Sequence, residues 1–295
     1  MKRLSLLALT LVGGFLCLPA RVSAQRKVER KLPLAADGAF RIYNLVGTIT
    51  VHGWAKDTIL VRGSLGEGEQ LHMGGNYRGG KLFIDSQDDR NPAGSKLDVW
   101  IPVRSQLWIK SATATIDISD LTGGLDIYSV GGHIHVKGNA RELNAEAIDG
   151  SIVIDGSPAW VRAKSASGDI VLNGGSDDAS LTTVSGKITV SGGSFERSKL
   201  ETVSGPIVFA GKLDRGGRFD FDTHSGTIDV AIPKSSDLTF SVVTIAGTIS
   251  NQLSSERPKL GRFGRGAELQ MDLNSGGAQV SVKTFKGAIQ LKSLE

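Results

Sequence analysis

The residues best spaced for chemistry in this 295-residue chain are Asp220, Asp222 and His224, in Phe219-Asp220-Phe221-Asp222-Thr223-His224. At alternate positions of a strand they share one side, where carboxylates and an imidazole can bind a divalent cation. The same three residues also suit a solvated face. If neighbouring segments stack in register, Glu201 lies beside Asp222 and Lys199 beside Asp220, giving an exposed Lys–Asp pair worth under about 1 kcal/mol. His133 and His135 form a second i, i+2 pair, with Asp117 stacked on His135. No third ligand is evident for it, so surface histidine is the expectation. Beyond these weak metal candidates the sequence implies no cofactor and no catalytic residue.

Aromatic and apolar residues offer a different chemistry. Trp100 sits between Val99 and Ile101, and Trp108 between Leu107 and Ile109, so both should point away from a core that takes their neighbours. They either stack on sugar rings or a protein partner, or lie under residues 25–95. Val153, Val171 and Val208, interrupted by Thr189, make a modest apolar stripe that either docks a partner or packs under the N-terminal portion. Arg257, Lys259, Arg262 and Arg265, with Phe263, form a basic loop that reads as solvated, with anionic glycan or lipid headgroups as the alternative. Asp177-Asp178 reads as turn chemistry. Phosphate loops, zinc-spaced Cys/His sets and nucleophile-elbow serines are absent from the sequence, and with 38 glycines the Gly-x-x-Gly clusters carry no information.

The elements that must position these residues are legible in a repeat. Ala114, Gly132, Gly150, Gly168, Gly186, Gly205, Gly226 and Gly247 occupy one recurring slot, and Gly287 repeats it after an insertion. Two and four positions after the slot the chain is apolar (Ile134/Val136, Ile152/Ile154, Ile170/Leu172, Ile188/Val190). A second alternating set precedes it (Leu125/Ile127/Ser129, Val161/Ala163/Ser165). Period-2 alternation on both sides of a small-residue corner means two short strands per repeat, each with one buried face. One repeat cannot cover that face alone, so repeats must stack. The expected fold is all-β, a single-domain β-solenoid of about 18–21 residues per rung. Eight or nine rungs about 4.8 Å apart would make a rod roughly 40 Å long, each inward Ile, Leu or Val contributing about 1.5–3 kcal/mol. The corner glycine implies φ > 0 or a close backbone approach, and the Ser or Thr three positions earlier can hydrogen-bond along the stack. A hexapeptide helix fails, because the positions six and twelve after Ile170 are Ser176 and Thr182.

Residues 1–24 read as a signal peptide. They comprise Lys2 and Arg3, an apolar run from Leu4 to Leu18 too short to span a bilayer comfortably, and Val22-Ser23-Ala24 before Gln25. Cleavage removes Cys17, leaving no disulfide, and removes Lys2, Arg3 and Arg21, leaving 31 basic against 30 acidic residues. The mature net charge is then +1 in place of +4, which argues against nucleic acid. Residues 25–105 are expected to be an irregular N-terminal β cap continuous with the solenoid, and residues 106–295 the solenoid itself. The strands after Gly266 are expected to close the far end.

Gly47-Thr48-Ile49-Thr50-Val51-His52-Gly53-Trp54, the Ile101-Pro102 lead-in and serial units such as Ser167-Gly168-Asp169-Ile170-Val171-Leu172 and Ser185-Gly186-Lys187-Ile188-Thr189-Val190 resemble the bacterial "putative adhesin" family, a domain of unknown function. The resemblance covers nearly the whole mature chain and implies a β-solenoid in the cell envelope, with no catalytic residues to carry over. The expected protein is exported to the periplasm, the cell surface or the medium, has no transmembrane segment after cleavage and is not an enzyme. It would present a surface to an envelope protein or glycan. Two alternatives stay open: a polysaccharide-active enzyme using Glu201, Asp220 and Asp222, and a self-associating envelope scaffold.

Overall fold

The computed structural model describes residues 26–88, 90–261 and 264–294; residues 1–24, expected to be a signal peptide, and Arg262 and Phe263 lie outside them. The repeat builds the stack of strand pairs that its alternation requires. Gln106–Ser111 and Thr115–Ser119 form one rung, Gly124–Ser129 and Ile134–Lys137 the next, and Glu142–Ala147 and Ile152–Asp155 the one after. Trp160–Ser165 and Ile170–Asn173 follow. Corresponding strands pair in parallel without a slip: Leu125 beside Leu107 and Leu143, Ile152 beside Ile134 and Ile170. The first strands of all rungs make one lateral sheet and the second strands another. Inward side chains from both sheets, such as Ile127, Ile134, Ile152 and Leu172, are buried in one continuous core. Where rungs lengthen beyond Gly186, Phe195, Phe209 and Phe221 fill the wider interior, with ring centroids 5.4 and 5.1 Å apart.

The corners explain the glycines. Gly168, Gly186, Gly205 and Gly226 do not have positive φ. They are needed because a Cβ on each would overlap the carbonyl oxygen of the corner glycine in the adjacent rung. The hydroxyl three residues earlier works across rungs. Thr183 Oγ1 accepts the Gly186 N–H at 3.2 Å and donates to the Gly168 carbonyl at 3.2 Å. Ser165 does the same with the Gly168 N–H and the Gly150 carbonyl. A direct hydroxyl–hydroxyl bond of the kind the ladder suggested joins Thr202 and Thr223, 2.7 Å apart.

Both ends depart from the expected order. At the N-terminal end the irregular cap proves to contain two regular rungs. Ala39–Tyr43 and Gly47–Trp54 stack directly under Gln106–Ser111 and Thr115–Ser119. Gly79–Ser86 and Ser95–Pro102, later in the chain, lie outside them. The C-terminal end mirrors this. Ala278–Thr284 and Ile289–Ser293 do not close the end; they slot between the rung of Gly226 and that of Gly247. The outermost rung is Leu238–Thr244 with Ile249–Asn251. Among the described residues the stack therefore has eleven rungs, about 48 Å from first to last, longer than expected.

Antiparallel strands finish each end. Thr58–Leu65 pairs with Ser95–Pro102, Arg26–Pro33 with Thr58–Leu65, and Glu69–Asn76 with Gly79–Ser86. Ala267–Leu273 covers Leu238–Thr244. The outermost N-terminal strand, Arg-Lys-Val-Glu-Arg-Lys-Leu-Pro, presents charges and a proline at its edge, which discourages a further strand from adding. Glu69, 4% exposed, ties the cap loops by accepting the Gly66 and Gly94 N–H groups and the Ser95 hydroxyl.

Candidate functional site

Alternation places every second residue of the first strands on an outer face, and the parallel register turns those residues into straight columns. One column runs Arg41, Trp108, Asp126, Asn144, Arg162, Ser180. Beside it runs Gln106, Gly124, Glu142, Trp160. Along this face runs an open groove of about 570 Å³, lined by Arg41, Trp108, Asp126, Glu142, Asn144 and Arg162 among others, with the Gln106 side chain lying over Gly124. Trp108 is half-buried, leaning on Tyr43 with ring centroids 4.8 Å apart. Asn144 donates to Asp126 at 3.1 Å, and Lys164 and Glu146 pair at 3.5 Å on the groove's side. The side chains of Arg41, Glu142 and Arg162 make no hydrogen bond or ion pair with any described residue. Trp160, 53% exposed, stands on the same face beside Glu142. It was not singled out from sequence, although its place before inward Val161 already implied an outward ring.

Trp100 does not join this site. It belongs to the second sheet, where its ring stacks on His52 at 5.3 Å and carries the Arg62 guanidinium at 6.0 Å. The two tryptophans therefore lie on different faces. Val153, Val171 and Val208 also line the second sheet, half-buried, with Thr189 between the last two. The N-terminal cap strands extend the sheets at the rod's end and pair with nothing along this stripe, so it is not packed under the cap.

The second face also holds the histidine pair. His135 bridges rungs, with Nε2 2.7 Å from Asp155 Oδ2 and Nδ1 3.6 Å from Asp117 Oδ1. Asn173 donates to Asp155 at 2.8 Å, and Ser191 to Asn173 at 2.7 Å. The bond from Asn173, then that from His135, holds the Asp155 carboxyl below its ordinary range. His133 turns to Ser151 Oγ at 2.7 Å.

Asp220, Asp222 and His224 share a strand face but do not converge. Asp220 pairs with Arg218 at 3.4 Å, and the His224 ring lies flat on Phe285 at 5.0 Å. Glu201, in register with Asp222, is held by Lys199 at 2.9 Å, a contact that raises the Lys199 pKa. Burial, against the attraction of Lys283, pushes the Asp222 carboxyl above its ordinary range, with Glu201 and Asp220 adding repulsion. Among the described residues no group of three or more His, Cys, Asp or Glu is placed to hold a metal ion. Arg257, Lys259 and Arg265 lie around the short strand Lys259–Leu260.

A further feature escaped the sequence reading. Two residues before most corners the side chain is a large apolar one, and Leu45, Val130, Ile148, Val184, Val203 and Phe285 are all exposed, while His224 holds this position before Gly226. Backbone bonds from Ile148 N–H to the Val130 carbonyl and from Val203 N–H to the Val184 carbonyl stack them into a ridge along the rod. The signal lay in the repeat itself, at a position adjacent to the corner.

Fold and surface together define an all-β solenoid with open lateral faces. Residues 159–292 match the family described as Toastrack DUF4097, so the resemblance seen in the repeat units holds over that segment. No curated protein matches the chain. Solved structures similar to it include a "putative cell adhesion protein" from Clostridium sporogenes, with 10% identity, 91% of this chain and 100% of that one covered, and a TM-score of 0.29. A "putative adhesin" from Bacteroides fragilis matches at 12% identity, with 92% and 99% covered and a TM-score of 0.35. Another "putative adhesin", from Parabacteroides distasonis, matches at 12% identity, with 91% and 98% covered and a TM-score of 0.39. No helix among the described residues is long and apolar enough to cross a membrane.

Proposed function

We propose that this chain is an exported, adhesin-like binding module that holds an envelope protein or glycan against the outer face of its first sheet, without catalysing a reaction on it. The observation that carries this reading is the Trp108 groove. Its side chains are fixed on a backbone lattice of parallel strands, it lies open along the rod, and it combines an aromatic ring with unpaired charged groups. Such a surface suits extended contact, where preorganised groups lose little freedom on binding. A catalytic cleft would surround its substrate and juxtapose titrating groups. The carboxylates considered for polysaccharide cleavage are instead engaged by Lys199 and Arg218, with Asp222 alone shifted upward.

The test is co-sedimentation of labelled mature chain, residues 25–295, with isolated bacterial envelopes, alongside an assay for new reducing ends in the supernatant. Saturable retention with no sugar release is expected. Release of reducing ends, or retention no greater than that of an unrelated protein, would overturn the reading.

A further inference from the structure

The Trp108 groove has a chemistry specific enough to name a ligand class. Its column carries two arginines without ion-pair partners, Arg41 and Arg162, four rungs apart, which is about 19 Å along the rod. Between them lie the half-buried face of Trp108 and the hydrogen-bonded Asp126–Asn144 pair. Trp160 offers a second exposed ring on the same face, three rungs from Trp108, about 14 Å away along the axis. An aromatic face takes the apolar side of a pyranose ring. An adjacent carboxylate and amide supply acceptor and donor for neighbouring hydroxyls. A free guanidinium takes a carboxylate through two parallel bonds.

We propose that the groove binds an acidic oligosaccharide, a segment bearing uronate carboxylates, laid along the rod axis between Arg41 and Arg162. This rests on the binding function proposed above and narrows it. Asp126 and Glu142 stand inside the same groove and repel a densely charged polyanion, so the fit is to a chain with carboxylates spaced along hydroxyl-rich sugar. A protein partner is disfavoured by the lack of a deep apolar pocket for an anchoring side chain. Beside Trp108 the groove's outward side chains are mostly polar or charged, among them Gln106, Asp126, Glu142, Asn144 and Glu146.

The test is calorimetric titration of the mature chain with uronate tetrasaccharides (galacturonate, guluronate and glucuronate-containing) and with their neutral methyl esters. At least one free acid should bind about tenfold or more tightly than its ester. Arg41→Gln/Arg162→Gln should erase that preference while keeping the weaker ester binding, and Trp108→Ala should weaken both forms. All three side chains reach the surface, and an unchanged melting midpoint verifies that the variants fold. Equal affinity for acid and ester, or a preference that survives the arginine substitutions, would overturn the proposal. Retention on envelopes with no binding to any uronate would overturn it too, leaving the general binding reading standing. Absence of both would remove both.

Discussion

At Thr183 a single hydroxyl serves two rungs, taking the Gly186 N–H of its own corner and giving its proton to the Gly168 carbonyl of the next. Thr183→Val keeps the shape but leaves a buried N–H and a buried carbonyl short of a partner. It should cost about 1–3 kcal/mol, measured by denaturant titration; Thr183→Ser should recover most of the loss. Asp222 belongs to the same scale. Its carboxyl is raised chiefly by burial, so the folded state binds the proton more tightly than the unfolded chain does. Its ionised form therefore lowers stability at neutral pH, and the loss fades as pH falls through the raised folded value toward the ordinary value of about 3.9. Asp222→Asn should raise the melting temperature at pH 7 by the equivalent of under about 1 kcal/mol, since the side chain keeps access to water. The gain should vanish near pH 3. The corner roles of these residues were half legible. A Ser or Thr three places before a glycine announced a hydroxyl inside the corner, but its partners are mostly backbone groups fixed by three-dimensional stacking, and among the described residues Thr202 and Thr223 are the corner pair that bonds directly.

The rungs themselves were legible because alternation and a fixed period leave one way to bury Ile152, Ile170 and Ile188 together. Their order at the two ends was not. Thr244…Gly247 and Thr284…Gly287 carry the same corner chemistry, and a rung's sequence says what it packs against in kind, not which copy lies next to it. Chain connectivity suggested Gly247 after Gly226. The structure places Gly287 between them, as the outer rung is laid down first and the last residues return beneath it. The N-terminal end shows the same inversion, with residues 39–54 lying inside residues 79–102. It follows that the C-terminal segment is an internal part of the core, contributing buried Val280, Val282, Ile289 and Leu291. A chain ending at residue 277 would expose two facing rows of unpaired strand edges. It should elute as aggregate in size-exclusion chromatography and lose its cooperative unfolding, and a peptide of residues 278–295 added during refolding should restore the monomer. A truncated chain that stays monomeric with an unchanged midpoint would contradict the inserted rung.

At the scale of the whole molecule the two sheets turn the rod into two lateral faces with different chemistry. The first carries Trp108, Trp160 and the unpaired arginines. The second carries the His135–Asp155 ladder and the valine stripe. The sequence named Trp100 and Trp108 together, because alternation reports that a residue points outward without reporting from which sheet. Only the strand pairing separates them, with Trp100 beside His52 and Trp108 beside Arg41. The central claim is that the first face does the binding. It is tested most directly by comparing envelope retention of the mature chain with that of Trp108→Ala/Trp160→Ala and Val153→Lys/Val171→Lys. Retention should fall at least about tenfold in the tryptophan variant, as stacking contacts of this kind are lost, and stay unchanged in the lysine variant. Retention kept by the tryptophan variant and lost by the lysine variant would place binding on the second face and contradict the account.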